Sequence, residues 1–237
     1  MTQHVKAQNW LAVVLDFLIV VAGILIAFQI TNWNEARKDR IEAVAILDRL
    51  EDDFVRLDAL THRSLDSHAA SLAATARIIN GIVEGRLDGD GLAGDISQST
   101  RGSTPPGPST TFQELKSNGR IALIKDVELR SRLSEYDDYA TLVRQEFRIF
   151  EGPVTALRHK FMDVRKLDIT GVPSQNFEDL GATRSVDANL ILEHAEFLSI
   201  LQTAYITHDN AHVVYAGMQD RIDDILALIR EQKDAAR

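Results

Sequence analysis

The sequence predicts an all-α fold in which one N-terminal transmembrane helix continues into a long stalk helix, and the stalk packs in an extramembrane helical bundle. An apolar run of 21 residues at Trp10–Ile30 contains a single charged residue, Asp16. After this run, apolar residues recur at every third or fourth position, as in a helix with one buried face. No later segment shows convincing period-two alternation, which is the pattern of a half-buried strand.

The apolar run has the length of a single membrane span, because about 20 helical residues cross the ~30 Å hydrocarbon layer. Trp10 and Trp33 flank the run, and indole rings prefer the membrane–water interface. A cleavable signal peptide would end in a small-residue cleavage site, which the segment after the run lacks. A buried core helix of this length would usually carry more polar residues. We therefore expect a short N-terminal tail at 1–9 and a transmembrane helix at 10–33.

Asp16 is the most informative residue of the predicted span, because an ionised carboxylate inside a bilayer costs several kcal/mol. Gly23, Ala27 and Asn34 share its helical face, and Gly23 and Ala27 form a small-xxx-small pair that lets helix backbones approach closely. This face predicts a homo-oligomer in which the four residues turn towards one another. The alternative is that Asp16 snorkels or is protonated and that the small residues are incidental.

Beyond the span, the chain divides into a stalk helix at 34–84, a Gly/Pro-rich loop at 85–110, and a helical bundle at 111–237 that the stalk completes. The loop holds three of the five prolines. Within the bundle a second loop is expected at 168–185, followed by a short helix and a long final helix. The apolar rhythm that predicts the stalk is carried by Ile41, Val44, Leu47, Leu50, Phe54, Leu57, Leu65, Leu72, Ile79 and Val83.

Local signals set helix boundaries within the bundle. Thr111 and Glu114 form the hydroxyl-x-x-Glu pattern of a capping box, and Asn118-Gly119 is a typical C-terminal signal. Asp126 is a good N-cap for the next helix. We expect Gly152-Pro153 to interrupt that helix, because proline removes a backbone donor and clashes with the preceding turn.

Composition excludes several classes of function. The formal charge is −9, and Lys and Arg are interleaved with Asp and Glu, so nucleic acid is not an expected partner. The absence of Cys excludes disulfides, thiolate zinc sites and Cys nucleophiles. Neither a Gly-x-Ser-x-Gly motif nor a P-loop nor a dinucleotide fingerprint is present. We therefore predict that the protein is not an enzyme and has no cofactor.

Two histidines are weak candidates for metal ligands. His208 and His212 stand at i and i+4, a spacing that can hold zinc, but the sequence between them lacks the Glu of the metalloprotease motif. His62 or His68 on the stalk could add a ligand if the helices pair. The simpler interpretation is two polar positions on a bundle helix, and no metal is predicted.

Three stretches of this sequence resemble a widespread family of uncharacterised bacterial single-pass proteins. They are NWLAVVLDFLIVVAGILIAFQITNWNEAR, the following ILDRLEDDF, and TFQELKSNGRIALIKDVELRSRLSEYDDY at Thr111–Tyr139. Members of that family end their N-terminal helix in Asn-Trp-Asn-Glu, which is Asn32 to Glu35 here. The resemblance implies topology rather than activity, namely a cytoplasmic N-terminus and a periplasmic domain at the inner membrane. A positive-inside count gives the opposite orientation, because Lys6 is the only basic residue before the span.

Two functions follow as hypotheses. The first is a non-enzymatic protein that self-assembles in the lipid bilayer and displays a helical scaffold or sensor domain. The second is an ion-coupled transport or stator-like component in which Asp16 takes up and releases a proton. That function would require an additional membrane partner, because stators contain a multi-span subunit that this chain does not supply.

Overall fold

The computed structural model describes residues 4–87, 89–167 and 183–235. It confirms the all-α class and the continuity of the apolar N-terminal helix with a stalk, which together form α1, a single helix of 80 residues. At 1.5 Å per residue this helix is about 120 Å long. The elements in chain order are α1 His4–Val83, α2 Gly89–Ser99, α3 Thr110–Ser117, a 3₁₀ turn Ile121–Leu123, α4 Val127–Met162, β1 Arg165–Leu167, β2 Thr183–Val186, α5 Ala188–Glu193 and α6 Glu196–Ala235.

The predicted loop at 85–110 is wrong over its first half, because α2 occupies 89–99. Leu92 and Ile96 of α2 are buried against Ile78 of the stalk, in one apolar cluster. Burial of this apolar pair outweighs the poor helix propensity of the glycines in this segment. The predicted tail at 1–9 is also helical from His4 onward.

The predicted interruption at Gly152-Pro153 is wrong as well, since α4 runs through Pro153 without a break. Val143 before this point and Val154 and Leu157 after it are all buried, so both halves of the helix are held in the core. Tertiary packing on both sides offsets the lost backbone hydrogen bond, whose cost is about 3 kcal/mol in an isolated helix.

Two short strands interrupt the helical pattern after α4. β1 and β2 pair antiparallel, with Arg165 opposite Val186 and Lys166 opposite Ser185. The last residues of the loop predicted at 168–185 therefore belong to a strand, while 168–182 lie outside the described residues. The predicted short helix after Ser185 is α5.

Helix ends follow the sequence signals closely. Asp126 caps α4 by accepting a 2.7 Å bond from the Leu129 N–H. α3 is capped by Ser109, whose Oγ accepts from the Phe112 N–H, and not by Thr111. α3 ends as predicted at Asn118-Gly119, where Gly119 adopts a φ of +66° that favours glycine.

The long helices form two apolar clusters stacked along the stalk. The cluster nearer the apolar N-terminal segment joins α1, α3, α4 and α6 around Leu50, Phe54, Tyr136 and Ile222. The distal cluster joins α1, α2, α4, α5 and α6 around residues that include Ile78. Along α6 the order of the two clusters is reversed, so α6 runs antiparallel to α1.

Between the two clusters the buried face of α1 becomes polar. The predicted apolar rhythm continues through Leu65, Leu72, Ile79 and Val83, but the first three are only partly buried and Val83 is 71% exposed. The polar residues that are buried over this stretch are Thr61, Ser64, His68, Ser71 and Thr75, and Ala74 is buried among them. We call the five polar residues the polar layer of the stalk.

Candidate functional site

The predicted transmembrane segment occupies the first part of α1. Among the described residues, α1 is the one helix long and apolar enough to cross a membrane, with an 18-residue stretch of mean hydropathy 2.7. None of that stretch is buried within the chain. Exposed apolar surface of this extent is stable against lipid or a partner helix rather than water. The large exposed side chains are Trp10, Val13, Val14, Leu15, Phe17, Leu18, Ile19, Val20, Ile24, Leu25, Ile26, Phe28, Ile30 and Trp33.

The predicted oligomer face is open in the single chain. Asp16, Gly23, Ala27 and Asn34 are all exposed. At 100° per residue, the other three lie within about 20° of Asp16 around the helix axis. A Cβ placed on Gly23 would meet nothing within 4 Å. Within the described part of the chain, the Asp16 carboxylate has neither a hydrogen bond nor an ion pair.

Thr31 lies on α1 between Ala27 and Asn34, about 60° around the helix axis from Asp16, and was not singled out from the sequence. Its hydroxyl donates a 3.0 Å hydrogen bond to the carbonyl of Ala27, so the side chain is satisfied inside its own helix. Gly23, Ala27 and Thr31 therefore form a run of small residues spaced four apart. This spacing of four residues could have indicated Thr31 from the sequence, since threonine is one of the small residues found at membrane-helix interfaces.

The second notable feature is the polar layer of the stalk, which is buried without leaving its hydroxyls unpaired. Thr61 donates to the carbonyl of Leu57 at 2.8 Å, and Thr75 donates to that of Ser71 at 2.7 Å. The Ser71 hydroxyl lies 2.9 Å from two carbonyl oxygens, that of Ser67 and that of Gln98 on α2, and shares its one hydrogen between them. Because each of these hydroxyls finds a carbonyl, burial carries little desolvation penalty.

A pair of buried histidine rings lies at the centre of this layer. His68 on α1 and His208 on α6 have 5% and 0% of their surface exposed, and their Nδ1 atoms are 3.1 Å apart. The His208 Nε2 lies 3.0 Å from the carbonyl oxygen of Ser99. The His68 Nε2 lies 3.0 Å from the hydroxyl of Ser103, and the His68 ring stacks on Tyr215 with centroids 5.2 Å apart.

The Ser99 carbonyl fixes the tautomers of both neutral rings. A carbonyl only accepts, so the His208 Nε2 carries its proton and the Nδ1 of the same ring is an acceptor. His68 must then donate from Nδ1 and accept at Nε2 from the hydroxyl of Ser103. The hydroxyl of Tyr215 donates to the Ser103 carbonyl at 2.9 Å. Every polar hydrogen in this network of His208, His68, Ser103 and Tyr215 side chains therefore has an acceptor.

Both rings are held neutral by their surroundings. Burial, together with smaller contributions from charge on His208 and His212, lowers the pKa of His68 to about 4. Burial also lowers the pKa of His208, although its bond to the Ser99 carbonyl acts in the opposite direction. At neutral pH the pair is uncharged and fully bonded.

The network can accept one proton but not two. A proton on the His68 Nε2 would be donated to the Ser103 hydroxyl, which could then donate to the Tyr215 hydroxyl oxygen 3.2 Å away. A second proton would place N–H groups on both Nδ1 atoms, so the His68–His208 bond would be lost. The pattern of hydrogen bonds around the two histidines thus depends on how many protons the pair carries.

The predicted histidine pair on α6 separates in the structure. His208 faces the interior and meets His68, whereas His212 is only partly buried. His62 lies on the exposed side of the stalk, with its Nδ1 3.2 Å from the carbonyl oxygen of Asp58. Within the described ranges, no group of three or more His, Asp or Glu side chains has the geometry to hold a metal ion.

A family of known sequences matches part of α1. A family described as "Family of unknown function (DUF6090)" matches residues 16–69, which is less than a quarter of the chain. The match begins at Asp16 and ends one residue after His68, so it covers most of the predicted span and the stalk as far as the histidine pair. It fits the resemblance to an uncharacterised family. No curated protein and no solved structure matches the chain.

Proposed function

We propose that the protein is a non-enzymatic single-pass membrane protein that self-assembles through its transmembrane helix and displays a helical scaffold or sensor domain. The observation that carries this proposal is the form of α1. One uninterrupted helix is exposed and apolar over a membrane-spanning length, and its far end supplies one wall of the bundle core. Such a helix joins membrane and domain without a flexible linker.

The self-assembly part rests on the face that contains Asp16, Gly23, Ala27 and Asn34. A carboxylate within the hydrocarbon layer is stabilised by a partner helix or a wet interface, because it is costly against lipid. The neighbouring small residues allow the close helix approach that brings such polar groups together. Both features lie on one open side of α1.

The sensor part rests on the polar layer of the stalk. A scaffold needs only an apolar core, yet here the middle of the bundle is built from satisfied hydroxyls and a neutral histidine pair. Such a layer has alternative bonded states, which a uniformly apolar core does not. For placement we propose the bacterial inner membrane with the domain in the periplasm, as the family resemblance implies.

The self-assembly proposal is tested on the full chain in lipid nanodiscs and mild detergent by light scattering. We expect the wild type to be an oligomer, and Gly23→Leu or Ala27→Leu to convert it to a monomer. Ala22→Leu is the matched control, because it adds similar bulk about 120° away around the helix. A monomeric wild type, or equal oligomers for all three variants, would contradict the proposal.

The second candidate function, an ion-coupled component, is favoured by one observation. The Asp16 carboxylate lies six residues inside Trp10 and has no partner among the residues that the structure describes. An intramembrane carboxylate is suited to take up and release a proton when a second subunit provides a water path. Asp16→Asn should then preserve assembly but abolish proton flux in a reconstituted complex, and unchanged flux would dispose of this candidate.

A further inference from the structure

A groove of about 440 Å³ opens beside the stalk at the membrane-proximal end of the bundle. Three elements form it: the first turns of α1 beyond the predicted span, the turn that leads into α4, and the last turn of α6. Its floor is apolar, with Ala43, Val44 and Leu47 from α1 and Leu123 and Leu129 from the opposite wall. The volume is within the range of about 300–1,000 Å³ typical of small-ligand pockets.

The continuity of α1 fixes the height of this groove above the bilayer. Its nearest lining residue, Ala36, is three residues beyond Trp33, which is about 4.5 Å along the helix axis. Leu47 is about 21 Å beyond Trp33. A headgroup layer is roughly 5–8 Å thick. The lower end of the groove therefore lies at the level of the lipid headgroups, and its floor leads away from the membrane.

Two cations on the rim of the groove are available to a ligand. Arg40 and Lys125 line it and are exposed, and neither has an ion pair in the described part of the chain. Two carboxylates, Asp39 and Asp126, also line the groove. Asp126 accepts the capping hydrogen bond of α4, and Asp39 lies near Arg120, whose pKa is raised mainly by its hydrogen bond to Glu42 and less strongly by Asp39.

We propose that this groove binds a phospholipid from the surrounding bilayer. Its phosphate pairs with Arg40 and Lys125, while one acyl chain lies along the apolar floor at Ala43, Val44 and Leu47 and the other chain remains in the membrane. An apolar floor with cations at its mouth matches the two chemical parts of a phospholipid. The inference rests on membrane insertion of α1, which is part of the proposed function.

The test measures phospholipid retained by the full chain after extraction from phosphatidylglycerol-containing nanodiscs into mild detergent, by native mass spectrometry. We expect one tightly held lipid per protomer in the wild type. The double variant Arg40→Gln with Lys125→Gln should lower its occupancy at least about tenfold, because it removes both phosphate contacts. The matched control is Arg37→Gln with Lys38→Gln, which removes the same charge within about 5 Å of Arg40 along α1 but outside the groove.

A second variant, Ala43→Phe, fills the floor of the groove and should also release the lipid, with a far-ultraviolet spectrum showing that the bundle remains helical. Equal lipid retention in both double variants would overturn the inference, since it would show only lipids bound around the span. A change in oligomer mass by Ala43→Phe without lipid loss would also overturn it, because a second copy would then occupy the groove. Extraction of the wild type from membranes by alkali would instead refute the membrane anchor itself.

Discussion

The Nδ1 atoms of His68 and His208 lie 3.1 Å apart and join the two longest helices of the protein, α1 and α6. At its other nitrogen, the His208 ring is bonded to Ser99, the last residue of α2, and the His68 ring to Ser103 in the segment that follows α2. Charged and titratable groups around them include His212 and Tyr215 on α6, with Glu151 and Arg158 of α4 lining the adjacent cavity. The pair therefore couples the protonation state of the core to the packing of three segments.

The first prediction is that mild acid destabilises the bundle. The pKa of His68 is about 4 in the folded protein and about 6.5 in an unfolded chain, so only the unfolded state binds a proton between these values. Stability should therefore be full above pH ~6.5 and fall as the pH is lowered to ~4. His68 alone accounts for about 3 kcal/mol at 1.36 kcal/mol per pH unit, and His208 acts in the same direction.

This prediction is checked by urea unfolding of the full chain in nanodiscs at several pH values between 7.5 and 4. His68→Gln should flatten the dependence, whereas His159→Gln should keep it, because His159 is exposed on α4. A wild type whose stability is constant from pH 6.5 to 4.5 would show that the pair does not control acid sensitivity.

The second prediction concerns the tautomers. At pH 7 we expect His68 to carry its proton on Nδ1 and His208 to carry its proton on Nε2, since the Ser99 carbonyl requires a donor. Nitrogen-15 NMR of the labelled imidazoles distinguishes the two forms by their coupling patterns. Ser103→Ala should leave the His208 tautomer unchanged but remove the donor to the His68 Nε2. If both rings carried the proton on the same nitrogen, the proposed hydrogen-bonded network would be contradicted.

The histidine pair also shows how far sequence reasoning reached. Leu50, Phe54 and Leu57 are apolar at helical spacing, so their burial follows from the pattern alone. Periodicity then favours Leu65 and Leu72 as the next core residues, and the structure buries Ser64 and His68 more deeply. The buried hydroxyls of Thr61 and Ser64 are satisfied by carbonyls of their own helix. The His68 ring instead needs His208 and Ser103 from other segments, and a single sequence does not specify those contacts.

Local chemistry was predictable where it depends on a few adjacent residues. Asp126 as an N-cap and Gly119 as a C-terminal residue are set within one helical turn, and both are confirmed. The continuity of α4 through Pro153 and the helix at 89–99 depend on burial against distant segments, so the local signals were misleading there. The Asp16 face was found from spacing, but what covers it in the membrane stays a prediction.

The third prediction concerns a buried carboxylate that fastens α3 to the stalk. Asp53 is 6% exposed and accepts hydrogen bonds from the Ser109 hydroxyl at 2.8 Å and the Thr111 N–H at 2.8 Å, with Thr110 at 3.0 Å. Burial alone would raise the pKa of Asp53, but these donors outweigh it and lower the pKa. The carboxylate is therefore charged at neutral pH and serves as an anchor for the start of α3.

Asp53→Ala should lower the free energy of unfolding by about 3 kcal/mol, because it leaves several buried donors without an acceptor. Thermal unfolding of the full chain, followed by circular dichroism, measures the loss. The neighbouring Asp52→Ala is the control and should change stability by less than about 0.5 kcal/mol, since Asp52 is exposed. Equal effects of the two substitutions would mean that net charge, and not the bonds at α3, is responsible.

The fourth prediction separates two glycines in helices that look equivalent in the sequence. A Cβ on Gly81, near the end of α1, would lie 2.9 Å from the backbone oxygen of Arg86 and 2.6 Å from a methyl of Leu87. The backbone there turns back on itself, since the Arg86 N–H donates to the Gly81 carbonyl at 2.8 Å and Gly85 adopts a φ of +69°. A Cβ on Gly94 in α2 would meet nothing within 4 Å.

Alanine at these two positions should therefore act in opposite directions. Gly94→Ala should stabilise the protein by about 0.5–1 kcal/mol, because it reduces the flexibility of the unfolded chain and suits a helix. Gly81→Ala also reduces the flexibility of the unfolded chain, but its methyl group forces the turn after α1 apart. We therefore expect it to lower the free energy of unfolding by about 1–2 kcal/mol. The melting temperatures of the two variants in the same detergent give the comparison. If Gly81→Ala were as stable as Gly94→Ala, the turn after α1 would have to be looser than its backbone hydrogen bonds indicate.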